Sequence, residues 1–336
     1  MVEGQRITLK QISEETGFAV ITVSKALRGE KDVSQKTRDI ICSKAREMGY
    51  VHNSAASSLR TGRSMMIAVS VININNPFWS RFCHTIQNLA FENNYISVFM
   101  NTKPESESEQ RSINMMVRHG IDGVLLDPSI DCTETTRLLN RMGIPCVIVG
   151  SPSTTEDLLA DLVTYDNYRA GYLVGSYLAQ KGRTKLLFVD IPDPYAAITE
   201  RLEGFRQGLF EQGFPLDNVV YSRLGPGQGA SIETIKPILD AHPDIDGIYA
   251  FNDYSAMQML STLNKLGRRV PEDVMIVGND NVQSYVEAGT RLTTIDSSPD
   301  KCARTAFEQL LRRINGDTTP PQIIRLPVRF IPGETA

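Results

Sequence analysis

The chain has 336 residues, 41% hydrophobic and 22% charged, an ordinary composition for a globular protein in water and too long for one core, so two or three domains are expected. Its net charge of -4 hides a split: residues 1–64 carry 11 Lys and Arg against 7 Asp and Glu, and the remainder 24 against 32, which suggests a nucleic-acid contact confined to one end. Five scattered cysteines without a CxxC pair or a His cluster point to neither a disulfide framework nor a metal site. No signal-peptide pattern or ~20-residue apolar span is present, so a cytoplasmic protein without cofactor or membrane partner is expected.

Thr8 precedes LKQISEET, in which Leu9 and Ile12 share one helical face, and Gly17 interrupts the pattern. A second short helix is expected from Ala19 or Val20 to Leu27, closed by Gly29. Ser34 is a good N-cap for a third, Gln35 to Met48, with Ile40, Ile41 and Ala45 as packing residues. Two short helices joined by a few residues containing glycine form the helix-turn-helix pattern, whose second helix lies in the major groove of DNA. Val23, Ala26 and Leu27 supply the inward face of that helix, which leaves Val20, Ile21 and Lys25 for base edges and Thr22 and Ser24 for phosphates. Lys25 suits guanine, whereas Val20 and Ile21 can only press on thymine methyls. The bland alternative is a small three-helix bundle, in which Val20 and Ile21 have no purpose.

From Met65 onward, short apolar runs end in polar residues and alternate with helical segments. The runs are 66–72, 96–100, 123–127, 146–150, 185–190, 219–224, 247–253 and 274–280, with helices such as Tyr168–Lys181 and Ala197–Gln212 between them. This alternation implies parallel sheets covered on both faces, and eight units suit two sheets better than one. Ligands bind beyond the carboxyl ends of strands in such sheets, so two facing sheets enclose a cleft. The polar residues at those ends are Asn75 and Asn76 ahead of Phe78 and Trp79, then Asp127, Asn252 with Asp253, and Asn279 with Asp280; Arg201 opens the helix after the 185–190 strand. Each alone reads as a cap or loop residue. Together, carboxylates, amides and aromatic faces suit a hydroxyl-rich ligand.

The chain resembles the lactose-repressor (LacI/GalR) family of bacterial transcription regulators over roughly residues 6 to 330. The resemblance is carried by Thr22-Val23-Ser24-Lys25, Val33-Ser34 with Thr37-Arg38, Gly49-Tyr50, the stretch Asn53 to Arg63, NNPFW, RLEGF, FND and VGNDN. It implies an α/β protein: a small all-α helix-turn-helix headpiece (1–50), a hinge helix and linker (51–64), and a two-lobed periplasmic-binding-protein-like body with two parallel sheets (65–336). The N-lobe would be 65–163 plus 294–325 and the C-lobe 164–293 plus 326–336, joined by crossings near Thr164, Thr293 and Leu326. Thr8, Ala19, Arg28, Ser34 and Thr37 join the recognition-helix residues as implied DNA contacts. In the hinge, Leu59 would wedge into the minor groove and Ala56 would pack on the partner hinge. Phe78, Trp79, Asp127, Arg201, Asn252 and Asp280 would line an effector cleft. Ala19 stands where serine is usual, and Lys25 where arginine is commoner.

The expectation is a regulator, in the first instance a repressor, that binds a palindromic operator in double-stranded DNA as a homodimer under control of a sugar-like effector. A dimer is expected because no leucine heptad follows Pro332-Gly333-Glu334. A solute-binding protein of a transporter shares such a body but should carry a signal peptide and no helix-turn-helix. An enzyme is disfavoured, since no nucleophile motif or phosphate loop accompanies the strand-end carboxylates, and no catalytic residue is assigned.

Overall fold

The computed structural model describes residues 7–51, 62–102, 106–128, 132–152, 159–190, 196–225, 229–286 and 289–336. They form two compact units, Met1–Ser64 and Met65–Ala336. Among the described residues, no helix is long and apolar enough to cross a membrane.

The first unit holds α1 (Leu9–Thr16), α2 (Val20–Leu27) and α3 (Gln35–Glu47). Thr8 starts α1 with a capping box: its hydroxyl accepts from the Gln11 amide while the Gln11 side chain accepts from the Thr8 amide. Gly17 ends α1 at φ 71°, a left-handed conformation that glycine enters without steric cost and that turns the chain into α2. Ser34 caps α3 by accepting from the Thr37 amide. Ile12, Val23, Ala26, Val33, Ile41 and Ala45 close a core shared by all three helices.

The second unit is built on two parallel sheets. β1 (Met66–Val71), β2 (Ile96–Asn101), β3 (Gly123–Leu126), β4 (Cys146–Val149), β5 (Asp161–Tyr165) and β11 (Ile323–Leu326) make the larger, in the order β11-β5-β4-β3-β1-β2. The smaller has the order β7-β6-β8-β9, from β6 (Leu186–Asp190), β7 (Val219–Arg223), β8 (Gly247–Ala250) and β9 (Met275–Val277). β10 (Thr294–Asp296) and β12 (Arg329–Ile331) pair antiparallel in a third, two-stranded sheet. Alternate residues of each strand enter different cores, as the pleat requires. Ile67, Val69 and Val71 pack with Phe82, Ile86 and Phe307, whereas Ala68 packs with Ile113 and Leu139. In the smaller sheet Leu187 and Val189 face Ile235 and Met259, whereas Leu186 and Phe188 face Val174 and Phe205.

The eight apolar runs all become strands, and four further strands, β5, β10, β11 and β12, form outside them. The expected helices at 168–181 and 197–212 appear as α7 (Asn167–Gln180) and α8 (Ala196–Glu211), after α4 (Pro77–Glu92), α5 (Ser106–Arg118) and α6 (Thr133–Arg141). Arg201 therefore stands in the second turn of its helix and not at its start.

α7 and α8 touch through their backbones. Gly171 and Gly175 face α8, and Gly204 and Gly208 face α7; a Cβ on Gly171 would overlap the Arg201 carbonyl, and one on Gly204 the Tyr168 carbonyl. Only glycine permits this approach, and it fixes where α8 carries Arg201. α9 (Ile232–Ala241), α10 (Asp253–Lys265) and α11 (Pro299–Ile314) complete the cover of the sheets.

Candidate functional site

The carboxyl ends of strands from both parallel sheets open onto one cavity of about 450 Å³, within the size range of small-molecule sites. Phe78, Trp79, Asp127, Arg201, Asn252 and Asp280 all line it, six positions drawn from segments far apart in the chain. Asn73, Gly150, Ser151, Tyr165, Asn167 and Phe251 complete its polar and aromatic wall.

The aromatic side is rigid. Asn76 caps α4 by accepting from the Phe78 amide at 3.0 Å, with Pro77 in the first turn. The Trp79 ring meets Phe78 and Phe82 edge to face, at centroid distances of 5.1 and 5.4 Å. Tyr165 stands edge to face with Phe78 at 6.0 Å.

The polar side is held by bonds within the protein. Arg201 is 7% exposed. Its Nε donates to Asn167 Oδ1 at 2.9 Å, its Nη1 donates to the Phe251 carbonyl at 2.7 Å, and its guanidinium lies 4.9 Å from the Phe251 ring centre. Asn167 in turn donates through Nδ2 to Ser151 Oγ at 3.2 Å, a residue just past β4. Asn252 caps α10 by accepting from the Ser255 amide at 2.8 Å, so one residue serves both helix and cavity. Asp127 accepts from the Ile72 amide at 3.1 Å, and burial pushes its carboxyl well above the usual carboxylate range. Asp280 accepts from Asn279 Nδ2 at 2.9 Å and has φ 121°, a conformation a non-glycine residue adopts at a cost on the order of 1–3 kcal/mol. Burial pushes Asp280 up to about 7, against the lowering effect of Arg201. Behind it Asp253 is fully buried and bonded by Thr294 Oγ1 at 2.6 Å and the Val282 amide at 2.9 Å; burial pushes it up to about 6. The sequence reading missed Asn167, Ser151, Tyr165 and Phe251. Asn167 and Tyr165 flank the end of β5, which it had not recognised as a strand.

In the first unit, Val23 and Ala26 of α2 are buried, whereas Val20 is 43% and Ile21 67% exposed. Two uncovered aliphatic side chains at the start of a short helix are the unusual feature of this surface. Lys25 is ion-paired with Asp32, which raises its pKa through that hydrogen bond. Arg28 pairs with Glu30 at 2.7 Å and donates to Ser24 Oγ. Ala19, at the N-cap of α2, offers no side-chain cap bond. Thr8, Ser34 and Thr37 are engaged in the caps of α1 and α3. Thr22, in the first turn of α2, is partly buried. The expected hinge contacts Ala56 and Leu59 lie outside the described residues.

Residues 176–336 match the family described as a periplasmic binding protein-like domain. Along nearly the whole chain it is 28% identical to the HTH-type transcriptional regulator CelR of Thermobifida fusca, covering 96% of each. It is 25% identical to the HTH-type transcriptional repressor PurR of Vibrio vulnificus, covering 98% of each. Among solved structures, a transcriptional regulator CelR–cellobiose complex is similar with a TM-score of 0.70 and 26% identity, over 98% of this chain and 100% of that one. Both curated relatives are transcription regulators.

Proposed function

We propose that the chain is a member of the LacI/GalR family of transcription regulators and a sequence-specific DNA-binding repressor, acting as a homodimer on a palindromic operator under control of a small sugar-like effector. One observation carries this reading: the same chain has a helix-turn-helix unit with Val20 and Ile21 uncovered and a body whose strand ends gather carboxylates, amides and rings around one cavity. Aliphatic reading residues contact thymine methyls, and a carboxylate–amide wall with aromatic faces suits hydroxyls on one side and the apolar face of a ring on the other.

Lobes of 65–163 with 294–325 and of 164–293 with 326–336 would close over the effector as a hinge, changing the spacing of paired headpieces. The β2 edge of the larger sheet supports self-association. Phe91, near the end of α4, is 83% exposed and Ile96, the first residue of β2, 64% exposed, apolar surface that a second copy would cover. The protein would act in the cytoplasm, where its DNA is.

The test is selection of duplexes from a random-sequence pool with the full chain, followed by release of the selected duplex on adding sugars. Enrichment of a palindrome with T-containing half-sites is expected. Failure to enrich any sequence would refute the regulator reading and favour the alternative, a solute-binding protein of a transporter.

A further inference from the structure

The cavity is ill suited to negative charge. Among the described residues, Asp127 and Asp280 line it beside one cation, Arg201. Both carboxylates are 7% exposed, and among the described residues neither forms an ion pair. Arg201 offsets them only in part, because its Nε and Nη1 are already committed to Asn167 and the Phe251 carbonyl. Two further acids stand behind the wall: Asp253 raises Asp280, and the buried Glu109 raises Asp127. The upward displacement of both carboxyls has burial as its first cause, as expected where no cation has been supplied.

We infer that this cavity selects an uncharged sugar and rejects the phosphorylated form of the same sugar. The inference rests on the sugar reading above and narrows it. A neutral polyol donates O–H groups to the carboxylate oxygens that the protein leaves open. Asp127 illustrates this: Oδ2 is taken by the Ile72 amide, and Oδ1 lies 3.5 Å from where a Cβ on Gly150 would stand, over a glycine that lines the cavity. A phosphate brings a near-dianion into a poorly solvated space beside two acids that burial already holds toward their protonated form, a place where added negative charge is least tolerated. The usual compensation is an arginine gripping phosphate with two nitrogens, and here the Nε edge of the guanidinium is occupied by Asn167.

Trp79, the only tryptophan of the chain, lines the cavity and reports directly on occupancy. The full-length protein is titrated with glucose, ribose, cellobiose, glucose 6-phosphate, ribose 5-phosphate and hypoxanthine, reading Trp79 fluorescence and checking with calorimetry. Saturation by an uncharged sugar is expected, with phosphorylated sugars about 100-fold weaker, the scale of several kcal/mol for juxtaposed like charges. At pH 8, where Asp280 is largely ionised, Asp280→Asn should narrow that gap by about tenfold, a difference of ~1.4 kcal/mol. A phosphorylated sugar binding as well as its parent overturns the charge selection and leaves the sugar reading intact. Saturation by hypoxanthine alone, or no response to any sugar, overturns the sugar reading and this inference with it.

Discussion

Asn167 holds Arg201 from one side only: its Oδ1 accepts from Nε at 2.9 Å, while its Nδ2 reaches back to Ser151 Oγ at 3.2 Å. The cation of the cavity is thereby tied, through one amide, to the end of a strand in the larger sheet. Asn167 is 2% exposed, so removing its side chain leaves buried donors without partners. Asn167→Ala is expected to lower body stability by about 1–3 kcal/mol, measured by urea unfolding. Asn167→Asp keeps the acceptor for Arg201 and should recover part of the loss. Equal losses for both variants would mean that the bond to Arg201 is not what matters.

The glycine contacts between α7 and α8 predict an unusual sign. An alanine replacing glycine in an unobstructed helix stabilises it by roughly 0.5–1 kcal/mol. At Gly204 the added Cβ overlaps the Tyr168 carbonyl, so the helices must separate. Gly204→Ala is expected to destabilise the body by about 1–3 kcal/mol or more, seen as a lower urea midpoint. A stabilised variant would show that the helices already have slack.

Stability of the body should fall as pH rises toward neutrality. Asp280 and Asp253 are pushed up to about 7 and about 6, above an unfolded value of about 3.9. The folded state therefore binds more protons than the unfolded chain between those values. Its advantage is complete below the unfolded pKa and is lost as pH rises through the folded one. Chemical unfolding at pH 6 and at pH 7.5 should show the protein weaker at the higher pH, with a slope of at most about 1.4 kcal/mol per unit for each group. Asp280→Asn should reduce that slope; an unchanged slope would place the titration elsewhere.

On the headpiece, Lys25 must leave Asp32 before it can donate to a base. Asp32→Asn is expected to strengthen DNA binding and Lys25→Ala to cost about 1–3 kcal/mol at one position of each half-site. Ile21→Ala should weaken selection of thymine without changing the salt dependence. Binding isotherms on selected and randomised duplexes at two salt concentrations separate these outcomes. A uniform loss on all sequences from Lys25→Ala would make it a phosphate contact.

Much of the fold was legible because continuous apolar runs mark strands buried on both faces. The strands that escaped notice lack such runs for identifiable reasons. β5 begins with Asp161, a charge that can be buried because Arg313, 152 positions later, donates to both of its oxygens at 2.7 Å. β10, β11 and β12 are three or four residues long, and β11 is an edge strand with Ile323 52% exposed. Missing β5 concealed Tyr165 and Asn167, since a strand-end rule can only find residues at strands already recognised. The ion pair of Lys25 with Asp32 was illegible for another reason: it joins a helix to the turn after it, and helical periodicity says nothing about such partners.

Helices that meet backbone to backbone have no intervening layer of side chains on which to slide. α7 and α8 are therefore expected to travel as one rigid block, carrying Arg201 as a fixed fitting of that block. Motion around the cavity must then be concentrated in the connecting strands. Adaptation to ligands of different shape falls to the opposite wall, where Gly150 and Ser151 leave room beside Trp79.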